Sequence, residues 1–290
     1  MNARCWNFAD ANVATALPLS SAKFDGLALR LISAAVLAPL AIAATWAGSP
    51  YFPVLVVLLA IIMGWEWARL TQGAKLSAPG FLVMASEAIG VTTAAAGRWH
   101  GALGVLGLGA LAVTLLSAGK SRVQAAWTGL GLLGIGLPCV AVLWLAADPV
   151  FGRATLLWLF ALVWGTDSAA FLVGRSLGGP LLAPRWSPKK TWSGALGGLA
   201  AAGAIGVATE WLLGISLISP VFWASLGLSA VAQAGDLVES AAKRRFGAKD
   251  SSSLIPGHGG FLDRLDAMLA VVLVAAGLSL IGGETPLRWT

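Results

Sequence analysis

Charge is scarce in this chain. Asp, Glu, Lys and Arg make up 11% of its residues and hydrophobic types 58%, against roughly 25% charged in a soluble domain. That shortage excludes a water-soluble globular protein. Cysteine is nearly missing too. Cys5 and Cys139 are the two present, too few for a disulfide framework and without metal-ligand spacing, so both read as unpaired small hydrophobes. Zinc-finger spacing is lacking, as is a basic stripe interleaved with aromatics, so the net charge of +6 gives no argument for nucleic acid. The first 26 residues lack a basic start followed by a compact apolar core. They read as a short cytosolic segment rather than a cleaved signal peptide. Missing as well are a P-loop, whose lysine follows a glycine-framed loop, and a convincing internal repeat of the kind that transporters carry.

What remains is a series of apolar runs near 20 residues, the length that crosses about 30 Å of hydrocarbon. Nine candidate spans lie near 27-47, 51-68, 80-97, 101-118, 125-147, 154-174, 194-214, 217-236 and 265-282. Backbone groups in lipid must be satisfied internally, so the runs predict helices and an all-α, polytopic integral membrane protein. The organisation expected is a cytosolic segment at 1-26, an N-terminal transmembrane bundle at 27-147 and a C-terminal transmembrane region at 148-290 that carries the two longest polar loops. Alternation puts the N-terminus and the loops at 69-79, 119-124, 175-193 and 237-264 on one side. That side holds fifteen basic residues against three on the other, and the positive-inside tendency makes it cytoplasmic, in a cell (inner) membrane, with the C-terminus outside. The fourteen Trp suit anchoring at the two interfaces.

Ionisable groups near hydrocarbon are costly and mark function. The densest run is Ser240 to Asp266, with five basic residues and three carboxylates, an inventory for handling phosphate. At the mouth of the eighth span Asp236, Glu239, Ser240 and Lys243 recur at i, i+3, i+4 and i+7. On a continuing helix they share one face, where two carboxylates can hold a hard divalent cation; a solvated helix end with a Glu239 to Lys243 pair is the bland alternative. Asp263 and Asp266 repeat the pattern at the ninth span, where an Asp also serves as a helix cap. Between them Pro256-Gly257-His258-Gly259-Gly260 predicts a tight turn. With Lys249 and Arg264 beside it and a helix start after it, it reads as an anion site. The loop before the seventh span offers Ser187, Lys189, Lys190 and Thr191 on the same logic. Asp167 lies inside the sixth span and is functional by default. Glu66, Glu87 and Glu210 lie in or near other spans without assignable partners.

These residues carry a resemblance. Ser240-x-x-Lys243-Arg244, then Lys249-Asp250, then Pro256-x-His258-Gly259-Gly260-x-x-Asp263-Arg264-x-Asp266 resembles the C-terminal signature of the phosphatidate cytidylyltransferase family. Asp167 to Arg175 and Ser187 to Trp192 are similar to two further motifs of that family. Phe171 stands where the family often has Tyr, and Ser193 where it often has Glu. The resemblance implies cytidylyl transfer from CTP to phosphatidic acid, giving CDP-diacylglycerol and pyrophosphate. It implies Mg²⁺, with a second cation as an open arrangement; lipid bilayer surrounds the chain, and a homodimer is left open. Carried onto this chain, the metal ligands expected are Asp236, Asp263, Glu239 and Asp167. Catalytic roles fall to Asp236, Asp263, Lys243, His258 and Arg264. Substrate contacts fall to Ser187, Lys189, Lys190, Thr191, Ser240, Arg244, Lys249, Asp250, Gly259, Gly260 and Asp266. A CTP-dependent kinase of a polyprenol or related lipid alcohol is the alternative within enzymes, and a transporter coupled through Asp167 the alternative outside them.

Overall fold

The computed structural model describes residues 21–73, 75–119, 121–214, 220–255 and 259–288, with side chains described at 33 and from 35 onward. Residues 1–20 of the expected N-terminal segment lie outside this set. Nine α-helices run through the described residues: α1 (Ser21–Ala47), α2 (Tyr51–Gln72), α3 (Ala78–Ala95), α4 (Trp99–Ser117), α5 (Arg122–Ala146), α6 (Gly152–Leu177), α7 (Trp192–Leu213), α8 (Pro220–Arg245) and α9 (Leu262–Gly282). Eight of them, α2 to α9, are long and apolar enough to cross a membrane, and the described apolar part of α1 is the shorter Ala35–Ala47. The protein is therefore an all-α polytopic membrane protein, as its composition requires.

Two departures from the expected helix limits shape the site. Helix α8 runs on to Arg245 and α9 begins at Leu262, so the polar stripe from Asp236 to Lys243 is helical and the intervening loop is shorter than 237-264. The other polar loop carries a small hairpin, β1 (Leu181–Ala183) paired antiparallel with β2 (Ser187–Thr191), with Leu181 opposite Thr191 and Ala183 opposite Ser187. Gly178, at φ 62°, closes α6 before it. Thr191 opens α7 after it, its Oγ1 accepting from Gly194 N at 3.1 Å. This is an N-cap, which satisfies an amide that the helix itself leaves unpaired.

Helix α5 forms the centre of the molecule, packed on α2, α3, α4, α6 and α9, and it buries Leu132, Ile135, Leu143 and Leu145. Small residues let backbones approach without a hydrophobic drive between helices in lipid. Helices α6 and α7 pack most extensively of all, and Gly194 shows why: a Cβ there would stand 2.6 Å from Ala170 O. Outward, Leu108, Leu115, Trp211 and Ile281 are exposed, which a bilayer renders favourable. The chain's alternation collects the end of α6, the hairpin, the end of α8 and the start of α9 at one end of the bundle.

Candidate active site

At that end the polar stripe of α8 meets three other elements. Lys190 of β2 reaches Asp236 Oδ2 at 2.5 Å, and Ser240 Oγ donates to the other oxygen of Asp236 at 3.3 Å. One turn further on, Lys243 Nζ lies 2.5 Å from Glu239 Oε2 and 2.6 Å from Asp263 Oδ1 at the start of α9. The two pairs differ in setting. Lys190 and Asp236 keep 28% of each side chain exposed, whereas the side chains of Lys243 and Asp263 are only 10% and 3% exposed. A buried cation between two carboxylates has its desolvation offset by both. Asp167 of α6 interacts electrostatically with Asp236, Lys190 and Arg264, and Asp266 with Asp236, Glu239 and Lys243. Five carboxylates and three cations thus form one connected cluster drawn from α6, β2, α8 and α9.

The donor set matches a hard divalent cation in kind. Both carboxylate oxygens of Glu239 are buried without a hydrogen bond of normal geometry, although Lys243 is close. Asp236 and Asp167 add oxygens nearby, and Asp266 has one oxygen on Ala267 N at 2.7 Å. Among the described residues, however, no three acidic or histidine side chains gather at metal-binding spacing, and Lys190 and Lys243 lie against the carboxylates. Asp263 has its oxygens engaged within the protein. Besides Lys243, Oδ1 accepts from Ser251 N at 3.1 Å, and Oδ2 from Ser251 N at 2.9 Å and Gly260 N at 2.8 Å.

A model of the cytidylyltransferase family matches residues 28–281. The chain belongs to that family. It is similar to the phosphatidate cytidylyltransferase of Brucella suis biovar 1 (strain 1330), 40% identical over 268 residues that span 89% of this chain and 94% of the relative. Similarity to the phosphatidate cytidylyltransferase of Staphylococcus haemolyticus (strain JCSC1435) is 32% over 219 residues, 74% of this chain and 84% of that one. A shorter match, 44% over 130 residues, joins 43% of the chain to 45% of the Haemophilus influenzae (strain ATCC 51907 / DSM 11121 / KW20 / Rd) phosphatidate cytidylyltransferase.

In this cytidylyltransferase several residues expected to touch substrate have other partners. The amides of Gly259 and Gly260 donate to Ile255 O and Asp263 rather than facing outward. The two glycines make room for carboxylates. At Gly259, with φ +87°, a Cβ would stand 2.6 Å from Asp263 Oδ2, and at Gly260 it would overlap Ser251 Oγ and Glu66 Oε1. The hydroxyl of Thr191 is used as the cap of α7, and Ser187 lies in the hairpin. Arg244 Nη1 donates to Ala248 O at 3.0 Å. Lys189, Lys249 and Arg264 are exposed cations that can meet an anion, and Asp250 is exposed next to Lys249. His258 lies outside the described residues. Of the two family departures, Phe171 is exposed with the Arg175 guanidinium 6.0 Å from its ring, and Ser193 Oγ donates to Gly178 O, tying the first turn of α7 to the end of α6.

Sequence reasoning missed the role of Glu66. Fully buried on α2, its carboxylate accepts from Phe261 N at 3.0 Å and Leu262 N at 2.7 Å, and so caps α9 from another helix. Its one signal in the sequence is an acidic residue inside an apolar run. A separate cavity of about 530 Å³ opens at the opposite end of the bundle beside Phe52, Trp99, Asp148 and Arg153. No member of the carboxylate cluster borders it.

Proposed function

We infer that this chain transfers a cytidylyl group from CTP to phosphatidic acid, releasing pyrophosphate and leaving CDP-diacylglycerol for phospholipid synthesis. The family match and the relatives' names support the reaction. The observation that carries the site is the 2.5 Å contact between Lys190 and Asp236, which joins the hairpin loop to the mouth of α8 and gathers cations and carboxylates in one place. The fifteen-to-three basic asymmetry supports a cytoplasmic site in a cell membrane, with the C-terminus on the far side.

In the chemistry proposed, a phosphate oxygen of phosphatidic acid attacks the α-phosphorus of CTP. A new P–O bond forms there while the bond to the bridging oxygen breaks, and pyrophosphate leaves with that electron pair. The nucleophile is already an anion, so no side chain has to take a proton from it. The protein's work is positioning and charge neutralisation. Lys189, Lys190, Lys249 and Arg264 border the cluster on its exposed side and offset phosphate charge. Lys243 is tied to two carboxylates and keeps Glu239 and Asp263 in register between α8 and α9. A Mg²⁺ ion would add positive charge at the triphosphate, with one or two of the carboxylates Asp236, Glu239 and Asp167 as its protein ligands and phosphate oxygens of the substrate as the others.

Labelled CTP tests the reading. Membranes containing the protein and supplied with phosphatidic acid and Mg²⁺ are expected to place α-phosphate label in the extracted lipid and to release pyrophosphate. Label from the γ-phosphate in the lipid, with CDP released, would replace the proposal by a lipid kinase.

A further inference from the structure

We propose that Glu66 and Trp67, neighbours on α2, are positioning residues for the transfer, clasping both ends of the loop 246–261 that joins α8 to α9. The inference rests on the cytidylyl transfer proposed above as the activity it would alter. Glu66 takes the far end of the loop. Its carboxylate accepts from Ser252 Oγ at 2.6 Å, Ser251 Oγ at 3.2 Å, Phe261 N at 3.0 Å and Leu262 N at 2.7 Å. A carboxylate has about four acceptor sites, so one segment saturates it. Trp67 takes the near end. Its indole meets the ring of Phe246 edge-on at 6.3 Å, and both rings meet Trp127 of α5, at 6.4 and 6.1 Å. Trp67 Nε1 donates to Trp127 O at 3.0 Å, and α5 makes room for the indole with Gly131, where any Cβ would overlap it.

The clasp reaches the cluster through one residue. Ser251 gives its hydroxyl to Glu66 and its amide to Asp263, and Asp263 holds Lys243 against Glu239. Lys249 and Asp250 lie exposed on the same loop. Glu66 is fully buried and Trp67 nearly so, and neither borders the exposed cations, so both act through the loop. A role of this kind shows in turnover, because a misplacement of about 1 Å can cost about a hundredfold in rate. Substrate affinity, set by the exposed cations, would change little.

The experiment uses the full chain in phosphatidic acid-containing membranes or mixed micelles. It compares wild type with Glu66→Gln, Ser252→Ala and Trp67→Phe for kcat and KM per folded molecule. Trypsin cleavage after Lys249, measured without CTP, is the readout independent of activity. Glu66→Gln, which swaps one acceptor oxygen for a donor facing donors, is expected to lower kcat by about tenfold to hundredfold. KM for CTP is expected to stay within about threefold, and cleavage at Lys249 to accelerate. Ser252→Ala and Trp67→Phe are expected to move both readouts the same way by about threefold. Ser252→Ala removes the bond to Glu66 and the one that Ser252 Oγ accepts from Leu254 N, both at a half-buried site, and decides the question should Glu66→Gln not accumulate. Folded variants with wild-type kcat, or a loss that only follows folded yield while cleavage at Lys249 is unchanged, would overturn the clasp. Wild type that makes no CDP-lipid would count against cytidylyl transfer instead, and cleavage at Lys249 would then decide for or against the clasp.

Discussion

Taking the ammonium of Lys243 away leaves Glu239 and Asp263 buried near each other without a counter-charge, and breaking a buried pair in this way costs about 3–5 kcal/mol. Lys243→Met is therefore expected to lower thermal stability by that order and to abolish transfer; unfolding and turnover measured on the same preparation check it. The two aspartates at the α8–α9 junction separate what Lys243 combines. Asp236 pairs with Lys190 where both keep 28% exposure, and a pair in that setting contributes only about 0–1 kcal/mol. Asp236→Asn should thus stay folded while losing turnover by about a hundredfold or more, the scale of a lost charge-stabilising group. Asp263→Asn should lose both, since that carboxylate also receives the amides of Ser251 and Gly260. An Asp236→Asn protein that unfolds early yet keeps its specific activity would contradict this division. The α8 stripe was legible from residue spacing alone, because i, i+3, i+4 and i+7 define one face of any helix. Asp263 was legible only as a choice between cap and ligand. That choice turns on which donors surround the carboxylate, and Ser251 is one of them from twelve residues away.

Helix packing sets the next scale. Gly194 of α7 touches α6 so closely that a methyl group would stand 2.6 Å from Ala170 O. Gly194→Ala is expected to destabilise by about 1–3 kcal/mol, the usual penalty for overpacking, whereas Gly104→Ala on α4, where a Cβ meets nothing within 4 Å, should be neutral or stabilising by up to about 1 kcal/mol. Equal effects at the two positions in thermal unfolding would remove the close-packing argument for α6 and α7. At the other end of the bundle, Asp148 ties the α5–α6 turn to the 3₁₀ turn at Pro286–Arg288. Burial raises its pKa, but the amides of Phe151 and Val150 and the Arg288 guanidinium, 3.2 Å away, outweigh it and hold the carboxyl below its usual range. A carboxyl lowered on folding stabilises fully above the unfolded value, about 3.9, and loses that contribution as pH falls through the lowered folded value. Wild type should accordingly lose stability more steeply than Asp148→Asn on acidification below about pH 4, and parallel melting curves from pH 6 to pH 3 would count against the tie.

For the whole molecule, the proposed site requires the hairpin loop and the 246–261 loop to share one side of the membrane. Labelling of single cysteines at Lys189 and Lys249 is expected to report both as cytoplasmic; opposite sides would end the shared-site proposal. By itself the sequence determined that the chain is a polytopic helical membrane protein, because scarce charge and repeated apolar runs near 20 residues leave the backbone no other way to satisfy itself in lipid. It also determined where ionisable residues collect, and its motifs pointed to the family, because fixed spacing of rare residue types survives without any contact being known. What it left undecided was which charges neutralise one another. Tertiary structure alone paired Lys190 with Asp236, turned the Gly259–Gly260 amides inward, and brought Glu66 to Ser251, Ser252 and Leu262 across 185, 186 and 196 residues of chain. A helix presents its polar atoms by periodicity, but whether a buried carboxylate meets a lysine, an amide or a metal depends on what the neighbouring helices carry to the same depth, and no local pattern encodes that.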